Sequence, residues 1–162
     1  MKKTLLIIAS AIAFAFASNA QPYNNSIGVS FMPDFSGKAH IIEIQWNHFF
    51  NEKNNLDIRA GYMLDWGPEI VGMYEWNVPI NNSSFRFYGG PGVHFGTTYV
   101  SQNDKTFVHF GFTGAAGFEY VFSGAPIAVS IDWRPYLTWN PGVESKPTFG
   151  YTGVQFGVKY CF

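Results

Sequence analysis

The chain has 162 residues, 47% hydrophobic and 19% aromatic but only 13% charged, about half the charged fraction of a soluble globular domain. That scarcity, with a formal net charge of -1, excludes the basic footprint of a nucleic-acid binder and an ordinary charged-surface enzyme. Seventeen Phe, nine Tyr and five Trp exclude disorder, because they supply ample apolar surface to offset the entropy of ordering.

In chain order, the first element is a leader. Met1-Lys2-Lys3 precedes the apolar run Thr4 to Ala17 and then Ser18-Asn19-Ala20, the basic, apolar and small-residue regions of a secretory signal peptide. The run falls short of the roughly 20 residues a spanning helix needs. Cleavage is expected after Ala20, so residues 1–20 are read as signal peptide and 21–162 as one domain. The single cysteine, Cys161, can form no internal disulfide, and an inward-facing filler role is expected for it.

Beyond the leader, period-two alternation recurs eight times between polar turn clusters, the pattern of half-buried strands. The runs are about Ser26 to Met32, Ala39 to Phe50, Leu56 to Trp66, Ile70 to Val78, Phe85 to Phe95, Phe107 to Phe122, Ile127 to Arg134 and Phe149 to Phe162. A bend or bulge is expected at Gly89-Gly90-Pro91-Gly92. Loops are expected at 33–38, 67–69, 97–106 and 135–147.

The charges fall on one face. Glu43, Asp57, Arg59, Asp65, Glu75, Arg86, Glu119, Asp132, Arg134 and Lys159 are all opposite in parity to the large apolar residues of their runs. The other charges of residues 21–162, Glu69 among them, are assigned to turns and loops. A lipid-facing Arg or Lys costs roughly 2 to 4 kcal/mol at the bilayer midplane, so a lipid-facing surface demands this segregation and a wetted one does not. Strands in hydrocarbon must close, because open edges leave backbone amides without partners. The fold expected is therefore all-β: an eight-stranded antiparallel up-and-down transmembrane β-barrel, its lumen filled by paired charges and not a wide pore. The inward Gly61, Gly90, Gly92, Gly111 and Gly117 are expected to make room for long side chains. Aromatics near both strand ends, including Trp76, Phe85, Tyr120 and Phe162 at one and Trp66, Phe95, Trp133 and Tyr151 at the other, are expected to form interfacial girdles.

The closing strand VQFGVKYCF, the hairpin FEYVFSGAPIAVSIDWRP and the segment FYGGPGVHFG resemble small eight-stranded outer-membrane β-barrel proteins of Gram-negative bacteria, of the type common in the Bacteroidetes. The resemblance implies an outer-membrane location, insertion by the barrel assembly machinery with periplasmic chaperones, and an assembly signal carried by Val158, Tyr160 and Phe162. It carries over no catalytic residue.

Candidate chemistry is sparse. His94 and His109 are both inward by parity, and a hairpin centred between Ser101 and Gln102 places them directly opposite, within about 5.5 Å. Such a pair could hold a divalent transition metal, but two ligands make a weak site, so hydrogen-bonded lumen histidines are expected, with no cofactor and no metal. The role expected is structural or surface-interacting, and not enzymatic. The alternatives are a lipid-modifying outer-membrane enzyme, for which Ser101 near the histidines is the nearest nucleophile, and a soluble periplasmic lipid-binding barrel.

Overall fold

The computed structural model describes residues 23–33, 41–64, 67–80, 84–100, 104–143 and 145–162. Residues 1–20, where a signal peptide is expected, lie outside the described residues with Asp65, Trp66 and Ser101, as does the side chain of Tyr151. Eight strands follow one another: β1 (Asn25–Met32), β2 (Ile41–Asn51), β3 (Asn54–Met63), β4 (Gly67–Pro79), β5 (Phe85–Val100), β6 (Lys105–Val121), β7 (Ile127–Trp139) and β8 (Thr148–Cys161). Each pairs antiparallel with the next, and β1 pairs antiparallel with β8, so the sheet closes into a barrel. The closing seam includes reciprocal backbone bonds between Asn25 and Phe162, of 2.9 and 2.8 Å. Both ends of the barrel chain therefore lie at one rim, with the connections 52–53, 80–84 and 122–126. The other rim carries the connections after β1, β3, β5 and β7.

The alternation of side chains decides which face is inside. Along β2, Glu43, Gln45 and Asn47 are buried while Ile42, Ile44 and Trp46 are exposed. The same inversion runs round the barrel: Ile44 and Phe112 are each 61% exposed, whereas Gln45 and Asp57 are fully buried. Among the described residues the buried apolar cluster consists of Val71, Met73 and Ala115. A soluble lipid-carrying barrel needs an apolar lumen and a polar exterior; the polar lumen and apolar exterior found here overturn that alternative.

Several strands run further than their apolar alternation. β4 begins at Gly67, so Gly67, Pro68 and Glu69 belong to a strand and not to a loop. β5 continues to Val100 and β6 starts at Lys105, reducing the expected 97–106 loop to 101–104. The reason is that alternation records an apolar outer face, and the hydrogen-bond ladder continues past the level where that face ends. β7 likewise passes Pro135, which lacks an N–H for the ladder, by shifting register between Arg134 and Tyr136 where it pairs with β8. This bulge carries β7 to Trp139 and shortens the 135–147 loop to 140–147. At Gly90-Pro91 the register with β4 is unchanged on either side, from Met73↔Gly92 to Trp76↔Gly89, so the expected bulge does not form there.

Aromatic rings gather outside near the termini rim, where Phe85 meets Tyr120 at 4.7 Å, Tyr120 meets Phe122 at 4.9 Å and Tyr74 meets Trp76 at 5.7 Å between centroids. Towards the other rim Trp139 packs on Phe110 and Phe112 at 6.5 and 6.1 Å.

Candidate functional site

The lumen is a network of buried ions. At its centre Arg59, 1% exposed, donates from Nε and Nη2 to Asp57 Oδ2 at 2.8 and 2.6 Å and from Nη1 to Gln155 Oε1 at 2.6 Å. Its guanidinium also lies 3.7 Å from carboxylate oxygens of Glu43 and Asp132. Arg134 Nε donates to Asp132 Oδ1 at 2.6 Å, and the Tyr88 hydroxyl donates to Asp132 Oδ2 at 2.6 Å. Towards the termini rim Arg86 and Lys159 both pair with Glu119, and the Arg86 guanidinium sits over the Tyr23 and Phe49 rings at 4.7 and 4.6 Å. Among the described residues Glu75 forms no ion pair within 4.0 Å; Asn55 donates to it at 2.9 Å. Burying charges is tolerated when each is paired and hydrogen-bonded. Arg59 on β3 reaching Gln155 on β8 spans the lumen, which is thereby plugged at mid-height.

Nine of the ten charges expected in the lumen are described, and all nine point inward; Asp65 lies outside the described residues. Cys161 is also inward and buried. Val158, Tyr160 and Phe162 point outward, 52%, 48% and 59% exposed. The glycines serve carboxylates, an imidazole and backbone more than arginines: a Cβ on Gly61 or Gly117 would meet Glu43 or Asp132 at 2.5 Å, and one on Gly90 would strike the Tyr74 carbonyl oxygen.

A second cluster lies nearer the loop rim. The β5–β6 register is Val100↔Lys105, and it sets His94 against Gly111 and Gly96 against His109. The hairpin is therefore centred one residue beyond the expected axis, between 102 and 103, which shifts the register by two, and the histidines are diagonal neighbours and not directly opposite. They still meet, with ring centroids 5.8 Å apart, through a residue assigned from the sequence to a loop. Glu69 on β4 pairs with Gly96, and its Oε2 lies 3.1 Å from His94 Nδ1 and 3.0 Å from His109 Nε2. The remaining ring nitrogens bond Thr138 Oγ1 at 3.2 Å and Thr98 Oγ1 at 2.9 Å, and Asn140 donates to Thr98 at 3.1 Å.

The signal for this cluster is a repeated tripeptide, His94-Phe95-Gly96 and His109-Phe110-Gly111. Antiparallel pairing about Phe95↔Phe110 lays each imidazole over the glycine of the other copy. A Cβ on Gly96 would come within 2.6 Å of His109 Nε2 and 2.8 Å of the Pro68 carbonyl oxygen. Gly96→Ala should therefore cost about 1–3 kcal/mol, as overpacking does, and push the His109 ring off Glu69. Urea denaturation of refolded protein, with the histidine ring resonances followed by NMR, would check both effects.

An apolar exterior around a salt-bridged, closed eight-stranded interior defines the class: a β-barrel of the transmembrane type. No protein-family model and no curated protein matches the chain. Among solved structures it is similar to the N-terminal β-barrel domain of Pseudomonas aeruginosa OprF, with a TM-score of 0.66 and 14% identity over 88% of this chain and 100% of that domain. It is also similar to a barrel from the de novo design of transmembrane β-barrels, with a TM-score of 0.54 and 14% identity over 90% of this chain and 100% of that one. At these identities the shared property is the fold.

Proposed function

We propose that this chain is an outer-membrane barrel with a structural or surface-interaction role and no catalytic activity. The observation that carries the reading is the outward belt: large apolar side chains such as Ile44, Val93, Phe112 and Val158, all more than half exposed, stand on strands whose described charges, apart from Lys105 at the rim end of β6, face inside. Water would penalise that surface and hydrocarbon would not. The plugged lumen supports a role other than that of a wide pore. The closing strand, with Val158, Tyr160 and Phe162 facing outward, supports delivery by periplasmic chaperones and insertion by the barrel assembly machinery. It also supports kinship with the small barrels common in the Bacteroidetes. Contacts with partners at the cell surface fall to the connections around 101–104 and 140–147.

Folded membrane barrels resist detergent until heated, so the chain should be found in the outer-membrane fraction and migrate faster on electrophoresis unboiled than boiled. Equal mobility, or recovery in the soluble periplasmic fraction, would overturn the reading.

A further inference from the structure

We propose that Glu69, His94 and His109 form a binding site for one divalent transition-metal ion of the zinc class, in the part of the lumen nearest the loop rim.

Three features of the fold build this site. The first is convergence. Each residue offers one donor atom, and the three atoms lie within 4.8 Å of one another; the two nitrogen-to-oxygen separations are 3.1 and 3.0 Å. Donors bound tetrahedrally to zinc at 2.0–2.1 Å stand about 3.3 Å apart, so small side-chain rotations suffice. Gly96 makes this possible. It is the residue between Glu69 and His109 in the lateral row across β4, β5 and β6, and without a side chain there the carboxylate reaches the imidazole two strands away.

The second feature is the outer layer of contacts. A metal-bound imidazole holds its orientation by donating its other N–H to an acceptor. Thr138 Oγ1 stands at His94 Nε2 and Thr98 Oγ1 at His109 Nδ1, and Asn140 in turn donates to Thr98. A hydroxyl can donate or accept, so both threonines suit the tautomers in which His94 Nδ1 and His109 Nε2 carry the lone pair that an ion would take.

The third is charge and space. Arg59, Arg86, Arg134 and Lys159 pair with Glu43, Asp57, Glu119 and Asp132, and among the described residues none of the four forms an ion pair with Glu69. A bound cation would supply the counter-charge at that carboxylate. Two imidazoles and a carboxylate suit zinc and its neighbours and leave coordination positions for water. A cavity of about 50 Å³, whose lining includes Glu69, His94, Thr138 and Tyr136 together with Glu43 and Arg134, has room for such water, one molecule needing roughly 10–15 Å³.

The test uses the untagged chain, refolded in detergent micelles and stripped with a chelator, then titrated with Zn²⁺ against a chromophoric competitor and with Co²⁺ by visible absorption. One equivalent of each is expected to bind, with cobalt showing the intense ligand-field bands of a low-coordinate nitrogen and oxygen site. His94→Ala, His109→Ala and Glu69→Gln should each weaken Zn²⁺ binding by at least about 100-fold, and Thr98→Val by about 10- to 100-fold as for a lost supporting contact. His48→Ala should leave it unchanged, since His48 bonds Asn25 near the opposite rim. Wild-type protein without stoichiometric binding, or refolded ligand variants that keep wild-type affinity, would overturn the site. If a variant fails to refold, the wild-type cobalt titration decides: absence of the bands at one equivalent overturns the proposal, and their presence supports it.

Discussion

Arg59→Ala is expected to lower the stability of the refolded barrel by about 3–5 kcal/mol, the cost of removing one partner from a buried ion pair. Arg59 is the hub of the lumen: it donates twice to Asp57 and once to Gln155 and lies beside Glu43 and Asp132. Truncation leaves those carboxylates facing one another, with Arg134, 3.7 Å from Asp57, as the nearest remaining cation. A lysine at position 59 keeps the charge but cannot reproduce a planar fork shared between Asp57 and Gln155, so Arg59→Lys should fall between wild type and Arg59→Ala. The urea midpoint in lipid vesicles measures both. A loss below about 1 kcal/mol for alanine would mean that water and Arg134 compensate, and that the network is not held through this side chain.

Placing a charge on the outer face tests the other half of the design. Ile44→Arg, mid-strand on β2 between Val29 and Ala60, should cost about 2–4 kcal/mol in a bilayer, whereas Val78→Arg, beside the end of β4, should cost about 0–1. Both positions are similarly exposed, at 61% and 57%, so surface area does not distinguish them and only depth in a membrane does. Reversible unfolding from vesicles gives the two values. Equal costs would remove the bilayer from the explanation of the apolar belt.

The cluster of Glu69, His94 and His109 shows where sequence reading stops. Parity placed both histidines inward, and they are inward. Parity could not choose the β5–β6 register, because a shift of two residues keeps every side chain on its face, and the polar stretch Ser101-Gln102-Asn103-Asp104 tolerates either turn. The choice goes to the pairing that sets each imidazole over a glycine, with Asp104 taking the left-handed conformation at φ 51°, which Asp tolerates better than most residues. Gly67-Pro68-Glu69 reads as a turn in isolation. It becomes strand because β5 runs on to Val100 and offers Gly96 as partner to Glu69.

By itself the sequence determined the number of strands, their inner and outer faces and the confinement of charge to the lumen. Those properties are local: alternation writes the environment of each face into every second residue, whatever the strand pairs with. Tertiary structure alone decided which buried charges meet. Arg59 and Gln155 are 96 residues apart and come into contact only because β1 closes on β8. Glu69 reaches His109, two strands away, only because Gly96 lies between them. Pairing across a lumen depends on register, closure and the absence of a side chain at one position, and none of these leaves a periodic trace along the chain.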